Sequence, residues 1–132
     1  MGHEGVKIAG REPVLRVMPM PADMNGNGDI FGGWVMAQCD IAAAIPAMRL
    51  ARGRIATVAV NSFLFKQSVS VGDVVSFFAE VVDTGRTSIK VRVEVYAERH
   101  PAQPIIVKVT EAVLTYVAIN QHGAKRELQN DQ

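Results

Sequence analysis

Hydrophobic positions along the 132-residue chain change their period twice. Val14-Leu15-Arg16-Val17-Met18 is a short apolar run that predicts a strand. Pro19, Pro21 and the run Asp23-Met24-Asn25-Gly26-Asn27-Gly28-Asp29 interrupt it and predict a long, turn-rich loop. From residue 32 to residue 51 apolar side chains recur at spacings of three and four: Trp34, Met36, Ala37, Ile41, Ala44, Ile45 and Met48. In a segment rich in Ala and Met, that spacing predicts a helix of about 30 Å. Pro46 removes one backbone donor within it and predicts a kink or an early end.

After Gly53 the period falls to two. Residues 55–65, 74–82, 87–96 and 105–119 predict four strands. The third alternates cleanly, with Ile89, Val91, Val93 and Val95 on one side and Ser88, Lys90, Arg92 and Glu94 on the other. In the fourth the apolar phase slips around Glu111, which predicts a bulge. The links at Val71-Gly72-Asp73, Asp83-Thr84-Gly85-Arg86 and His100-Pro101-Ala102-Gln103-Pro104 are short, and short links join antiparallel neighbours. The order strand, long helix, four strands is an α+β domain with a five-stranded antiparallel sheet. One helix covers one sheet face, so the sheet's edge or outer face is left to a partner, and a homo-oligomer is expected.

Composition narrows the function. Lys+Arg number 14 and Asp+Glu 13, a net charge of +1, without the basic excess that binding to nucleic acid phosphates demands. The length fits a single domain over residues 1–132, with a core at about 13–119 and polar, loose ends. The only cysteine, Cys39, rules out an intramolecular disulfide and a cysteine-rich zinc site. Gln38 and Asp40 interrupt the most apolar stretch, so no membrane span is expected. The first residues lack a basic head followed by an apolar run, so no signal peptide is expected and the cytoplasm is the default location.

Asp40 is the conspicuous chemical feature. It stands in the middle of the apolar helix, with no Lys, Arg or His three or four residues away. A carboxylate there must be hydrogen-bonded or wet, and one drawn partly out of water becomes a usable base near neutral pH. A helical Asp facing a solvent channel, or bonded to nearby backbone, fits the same pattern. Gly32 and Gly33 fall where the helix begins. On spacing alone they fit a loop in need of backbone freedom better than a helix start whose unpaired N–H groups meet a developing oxyanion. His3, His100 and His122 have no metal-ligand spacing, and no metal site is expected. No Gly-x-Ser-x-Gly elbow is present, and Cys39 reads as buried core. Gly85-Arg86-Thr87-Ser88 fits a phosphate cradle and a plain hairpin turn equally well.

The stretch Met20-Pro21-Ala22-Asp23-Met24-Asn25-Gly26-Asn27-Gly28-Asp29-Ile30-Phe31-Gly32-Gly33-Trp34, continuing to Asp40, closely resembles the signature of the YciA-like bacterial acyl-CoA thioesterases of the hotdog fold. Gly53-Arg54-Ile55-Ala56-Thr57-Val58-Ala59-Val60, Val71-Gly72-Asp73 and Gly85-Arg86-Thr87-Ser88-Ile89-Lys90-Val91 match as well, so the resemblance covers about residues 14–126. It implies a sheet wrapped around one long central helix, active sites at a dimer interface, and a trimer of dimers. It implies hydrolysis of an acyl-CoA thioester, with Asp40 as catalytic acid residue, Asn25 positioning water or the carbonyl oxygen, and Gly32 or Gly33 supplying an oxyanion N–H. Asp40 would either activate water or attack the thioester directly. No cofactor is implied, since CoA is part of the substrate and then a product. Its phosphates need cations, for which Arg54, Arg86 and Lys90, with the turn Gly85, Thr87 and Ser88, are the candidates. Asn61 stands where relatives commonly carry Glu, Gln67 where Pro is common, and Pro46 where an aliphatic residue is usual. The competing reading is a non-catalytic module that binds acyl-CoA or CoA on the same fold.

Overall fold

A computed structural model describes residues 10–99, 102 and 104–128. Strand β1 (Leu15–Val17) is followed by a short 3-10 turn (Pro21–Asp23), helix α1 (Gly32–Ala51), and strands β2 (Ile55–Phe65), β3 (Val74–Thr84), β4 (Ser88–Arg99) and β5 (Ile105–Ala118). All pairings are antiparallel, and the spatial order is β1-β3-β4-β5-β2. The expected α+β architecture is therefore present, with β2 as one edge strand.

Helix α1 lies across the sheet, mainly over β3 and β4. It runs through Pro46 to Ala51 and does not end early. Arg52 then adopts the left-handed conformation (φ 56°) and, with Gly53 behind it, turns the chain into β2. The face that α1 buries differs from the stripe expected from the sequence. Val35, Cys39, Ala42, Ala43, Ala47 and Ala51 face the sheet, whereas Met36, Ile41 and Met48 are exposed. Small side chains on the inner face let the helix approach the sheet closely, and the larger apolar ones are left pointing away. The helix is apolar on both sides, so periodicity alone does not say which side is inside.

The sheet's inner face supplies Phe77 from β3, Ile89, Val91, Val93 and Val95 from β4, and Ala112, Leu114 and Tyr116 from β5, all at most 1 % exposed. Each fully buried Val, Ile or Leu contributes about 1.5–3 kcal/mol of transfer free energy. The outer face is not apolar. There Arg11 pairs with Glu94, Lys108 with Glu94 and Glu111, and Arg92 with Glu80. Apolar side chains are exposed on edge strand β2, at Val58, Val60, Leu64 and Phe65, on the outward side of α1, and in the loop before it at Met18, Met20 and Met24.

The slip expected near Glu111 takes the form of two irregularities that flank it. Val109 is the extra residue against β4, and Ser62-Phe63 of β2 face the single residue Ala112, with Ser62 at φ 57°. A further shift in β2 falls at Val58, between the pairs Thr57–Tyr116 and Ala59–Thr115. The segment after β5 corrects the expectation of a loose end from residue 120. Residues 119–128 fold back on the domain, the Arg126 N–H bonds the Ala118 carbonyl, the Leu128 N–H bonds the Arg86 carbonyl, and Leu128 packs against the core. His3, His100, Pro101 and Gln103 lie outside the described residues.

Candidate active site

Asp40 projects from α1 toward the junction of β2 and β5. Thr57 and Tyr116 are directly paired across those strands, so their side chains share a face. Thr57 Oγ1 donates to Asp40 Oδ1 at 2.9 Å. The Tyr116 hydroxyl lies 2.7 Å from the same oxygen and 2.8 Å from the Asp40 backbone carbonyl. Neither Thr57 nor Tyr116 stands out in the sequence, because the strand period says which face a residue takes and not which helix residue it meets. Asp40 is half-buried, and among the described residues its partners are hydroxyls and no cation. Oδ2 has no partner among them. Burial, then hydrogen bonding to Asp40, pushes the Tyr116 phenol above its ordinary range, so it remains a proton donor. Burial also pushes the adjacent Cys39 thiol up to about 12, with the Asp40 charge as the second cause, so Cys39 is an inert core residue.

The start of α1 is built by the preceding loop. Asn25 Oδ1 accepts the N–H groups of Asn27 (2.8 Å) and Asp29 (3.2 Å), and Gly28 takes φ 87°, which closes a tight turn. The Ile30 N–H then bonds the Val69 carbonyl, and the Phe31 N–H bonds the Asp23 carbonyl, which fixes where the helix begins. The cap residue is Phe31, whose side chain accepts no hydrogen bond. The first-turn N–H groups of Gly32 and Gly33 therefore have no partner among the described residues. They sit at the positive end of the helix dipole. Beside them a cavity of about 290 Å³ is bounded by Asn25, Gly32, Val35, Phe65, Gln67 and Val69, among others. Of its lining residues, the buried ones, Ile30, Val35 and Val69, are apolar, and the exposed ones include Lys66 and Gln67. Asn25 reaches it, but with Oδ1 committed to the loop, only its amide N–H groups are left to meet a ligand.

The expected phosphate-binding residues collect where residues 118–128 stitch strand ends together. The Ile119 N–H bonds the Arg54 carbonyl, and Arg54 Nη1 donates to the Gln121 carbonyl at 3.0 Å. The Gly85 N–H closes the hairpin on the Ser88 carbonyl, and the Thr87 carbonyl accepts the Ala118 N–H. The turn's backbone is thus partly committed, and the Arg86 guanidinium is its main charged resource. Arg86 pairs with Glu127 at 3.3 Å, both side chains widely exposed, so a phosphate can exchange for that partner. Lys90 sits apart on the exposed outer face of β4.

Comparison with known proteins places this geometry. The thioesterase superfamily profile matches residues 27–102. The acyl-CoA thioester hydrolase YciA of Salmonella typhimurium (strain LT2) is 48% identical over 119 residues, which cover 89% of this chain and 90% of that protein. A hexameric thioesterase from Yersinia pestis superposes with a TM-score of 0.84 at 46% identity, covering 91% of this chain and 97% of its own. A hexameric broad-specificity acyl-coenzyme A thioesterase, solved as a variant with one aspartate replaced by alanine, superposes with a TM-score of 0.87 at 40% identity, covering 98% and 90%. The fold, the helix motif and the extent of these matches agree, and the chain belongs to the YciA-like acyl-CoA thioester hydrolases of the hotdog thioesterase superfamily.

Proposed function

We propose that this chain hydrolyses acyl-CoA thioesters to a free carboxylic acid and CoA, with Asp40 as the base. The observation that supports the assignment is the Asp40 carboxylate, held at Oδ1 by two hydroxyls, open at Oδ2, and free of any cationic partner among the described residues. Oδ2 takes a proton from water as the water oxygen attacks the thioester carbon. The oxyanion is met by the Gly32 or Gly33 N–H and by the Asn25 amide. Collapse expels the CoA thiolate, which takes up the proton, so water and thioester give acid and thiol. CoA enters as part of the substrate and leaves as product, and the steps call on no further cofactor or metal. The cavity beside Gly32 takes the acyl end. Arg54 and Arg86 meet the CoA phosphates, with the Thr87 and Ser88 hydroxyls beside them, while Gly85 shapes the turn and Lys90 contributes charge at longer range.

The protein works as a homo-oligomer, at least a dimer and, in the fullest form of the proposal, a trimer of dimers in the cytoplasm. Two observations support an interface site. The apolar residues Val58 and Val60 on β2 and Met36 and Ile41 on α1 are exposed in the single chain. Gly32 and Asp40 also stand about 12 Å apart along one helix, a span that a second copy supplying one of the two would shorten. The hexameric assembly of the similar thioesterases is consistent with this.

The test is hydrolysis of acyl-CoAs of graded chain length by wild type and Asp40→Asn. The expected result is a loss of about 10²–10⁴-fold in the variant with CoA binding retained. Wild-type protein inert toward every chain length would overturn the proposal in favour of a module that only binds CoA.

A further inference from the structure

We infer that Tyr116 is a positioning residue for this reaction, holding Asp40 by Oδ1 so that Oδ2 is the oxygen presented to water. The inference rests on the hydrolase reading and adds a residue to it. Tyr116 is 1 % exposed and is the largest fully buried side chain of the described core. A phenol in that setting needs an acceptor, and the Asp40 backbone carbonyl at 2.8 Å would suffice. The side-chain carboxylate has nonetheless been brought to the same hydroxyl, at 2.7 Å. Thr57, the residue paired with Tyr116 across the sheet, aims its own hydroxyl at the same oxygen. Both donors therefore act on Oδ1 and neither on Oδ2.

That asymmetry does what a base requires. A carboxylate turning freely about its terminal torsion would present either oxygen in a spread of directions. One fixed at Oδ1 from a buried ring presents Oδ2 in a single direction. Thr57 is exposed and sits beside the β2 irregularity at Val58, whereas Tyr116 is anchored in the core, so the rigid half of the clamp is the tyrosine. The groups that face Asp40 are Thr57 from β2, Tyr116 from β5 and Cys39 from its own helix. The two ionisable ones remain protonated through the neutral range, so the clamp keeps its form across the pH range of an assay.

The experiment is Tyr116→Phe, which keeps the ring and removes one oxygen. The expected result is a fall in kcat of roughly 10–100-fold with KM changed less than about threefold. The acid limb of the kcat/KM profile should also move to higher pH, because a donor that favours the ionised carboxylate is gone. A tyrosine with only a packing role would lower Tm and leave kcat and the profile at wild-type values, and that result overturns the inference. Should Tyr116→Phe fail to fold, a ring-fluorinated tyrosine at position 116 keeps the shape and sharpens the donor. The acid limb should then move to lower pH, and an unmoved limb overturns the inference. Asp40→Asn is assayed alongside. If it abolishes turnover while Tyr116→Phe matches wild type, the positioning role alone is lost. If wild type is inert, the hydrolase reading and this inference fall together.

Discussion

Gly32 and Asp40 stand on one helix, separated by eight residues and about 12 Å. A base and an oxyanion donor must each come within about 3 Å of the group they serve. On the proposal above, one copy of the chain supplies the helix start and another supplies Asp40. Mixed assemblies test this. Gly32→Pro deletes the N–H at the first helical position, where proline is tolerated, and Phe31 already has the extended ψ of 134° that precedes proline. The added ring must displace Phe65, whose ring atoms lie 3.2 Å from a Cβ built at Gly32. Asp40→Asn and Gly32→Pro should each be strongly impaired alone, Gly32→Pro less so because the Gly33 N–H and the Asn25 amide remain. Co-expressed, they should regain activity, because one combination of chains pairs an intact Asp40 with an intact Gly32. A mixture no more active than its components would place the whole site within one chain.

The two arginines at the strand ends should act on the nucleotide half of the substrate. Arg54→Ala and Arg86→Ala are expected to raise KM for acyl-CoA about three- to tenfold each, at nearly constant kcat. The same variants should match wild type on an acyl thioester of N-acetylcysteamine, which lacks the nucleotide. Equal loss on both substrates would show that these residues shape the catalytic centre itself.

Residue order carried much of this architecture. The helix bounds follow from the glycine pair at one end and Gly53 at the other, and the strands from their clean alternation. Asp40 was legible because an acid on an apolar helix is conspicuous. Its clamp was not, since Thr57 and Tyr116 meet it only through the β2–β5 register, which bulges set and composition does not encode. The buried face of α1 was illegible for a related reason. Ala42, Ala43 and Ala47 look weakly apolar beside Met36 and Ile41, but close approach to a sheet selects for small side chains. Arg126 was missed because the polar tail around it gives no periodic signal. It nonetheless donates to the Ala51 carbonyl at 2.8 Å and caps the end of α1.

Asp73 holds the loop that borders the cavity. Its Oδ2 accepts from Arg99 Nη2 at 2.9 Å and from the Ser70 N–H at 2.9 Å, and Arg99 also donates to the Ser68 carbonyl. The Asp73 side chain is 3% exposed and that of Arg99 24%. Asp73→Ala leaves the guanidinium half-buried without its carboxylate, at a cost of about 3 kcal/mol. Chemical denaturation should register that loss. Release of residues 66–69 should also raise KM for long-chain substrates more than for short ones. Unchanged stability would mean that water replaces the carboxylate at no cost.

Cys39 should make the fold sensitive to alkali. In the folded chain its thiol titrates at about 12, against 9.0 for an ordinary thiol. Between those values the unfolded chain has lost the proton and the folded chain keeps it. The unfolded state then binds fewer protons, and stability falls as pH rises, by about 1.4 kcal/mol per pH unit. The contribution is fully present below pH 9 and is lost as pH climbs through 12. Urea titrations at stepped pH should give wild type a steeper decline than Cys39→Ala. Tyr116 acts in the same direction from about pH 10 upward, but it is common to both proteins and cancels in the comparison. The cavity left by the alanine offsets the two curves without changing their slopes, so parallel curves would mean that the thiol is open to solvent in the folded protein.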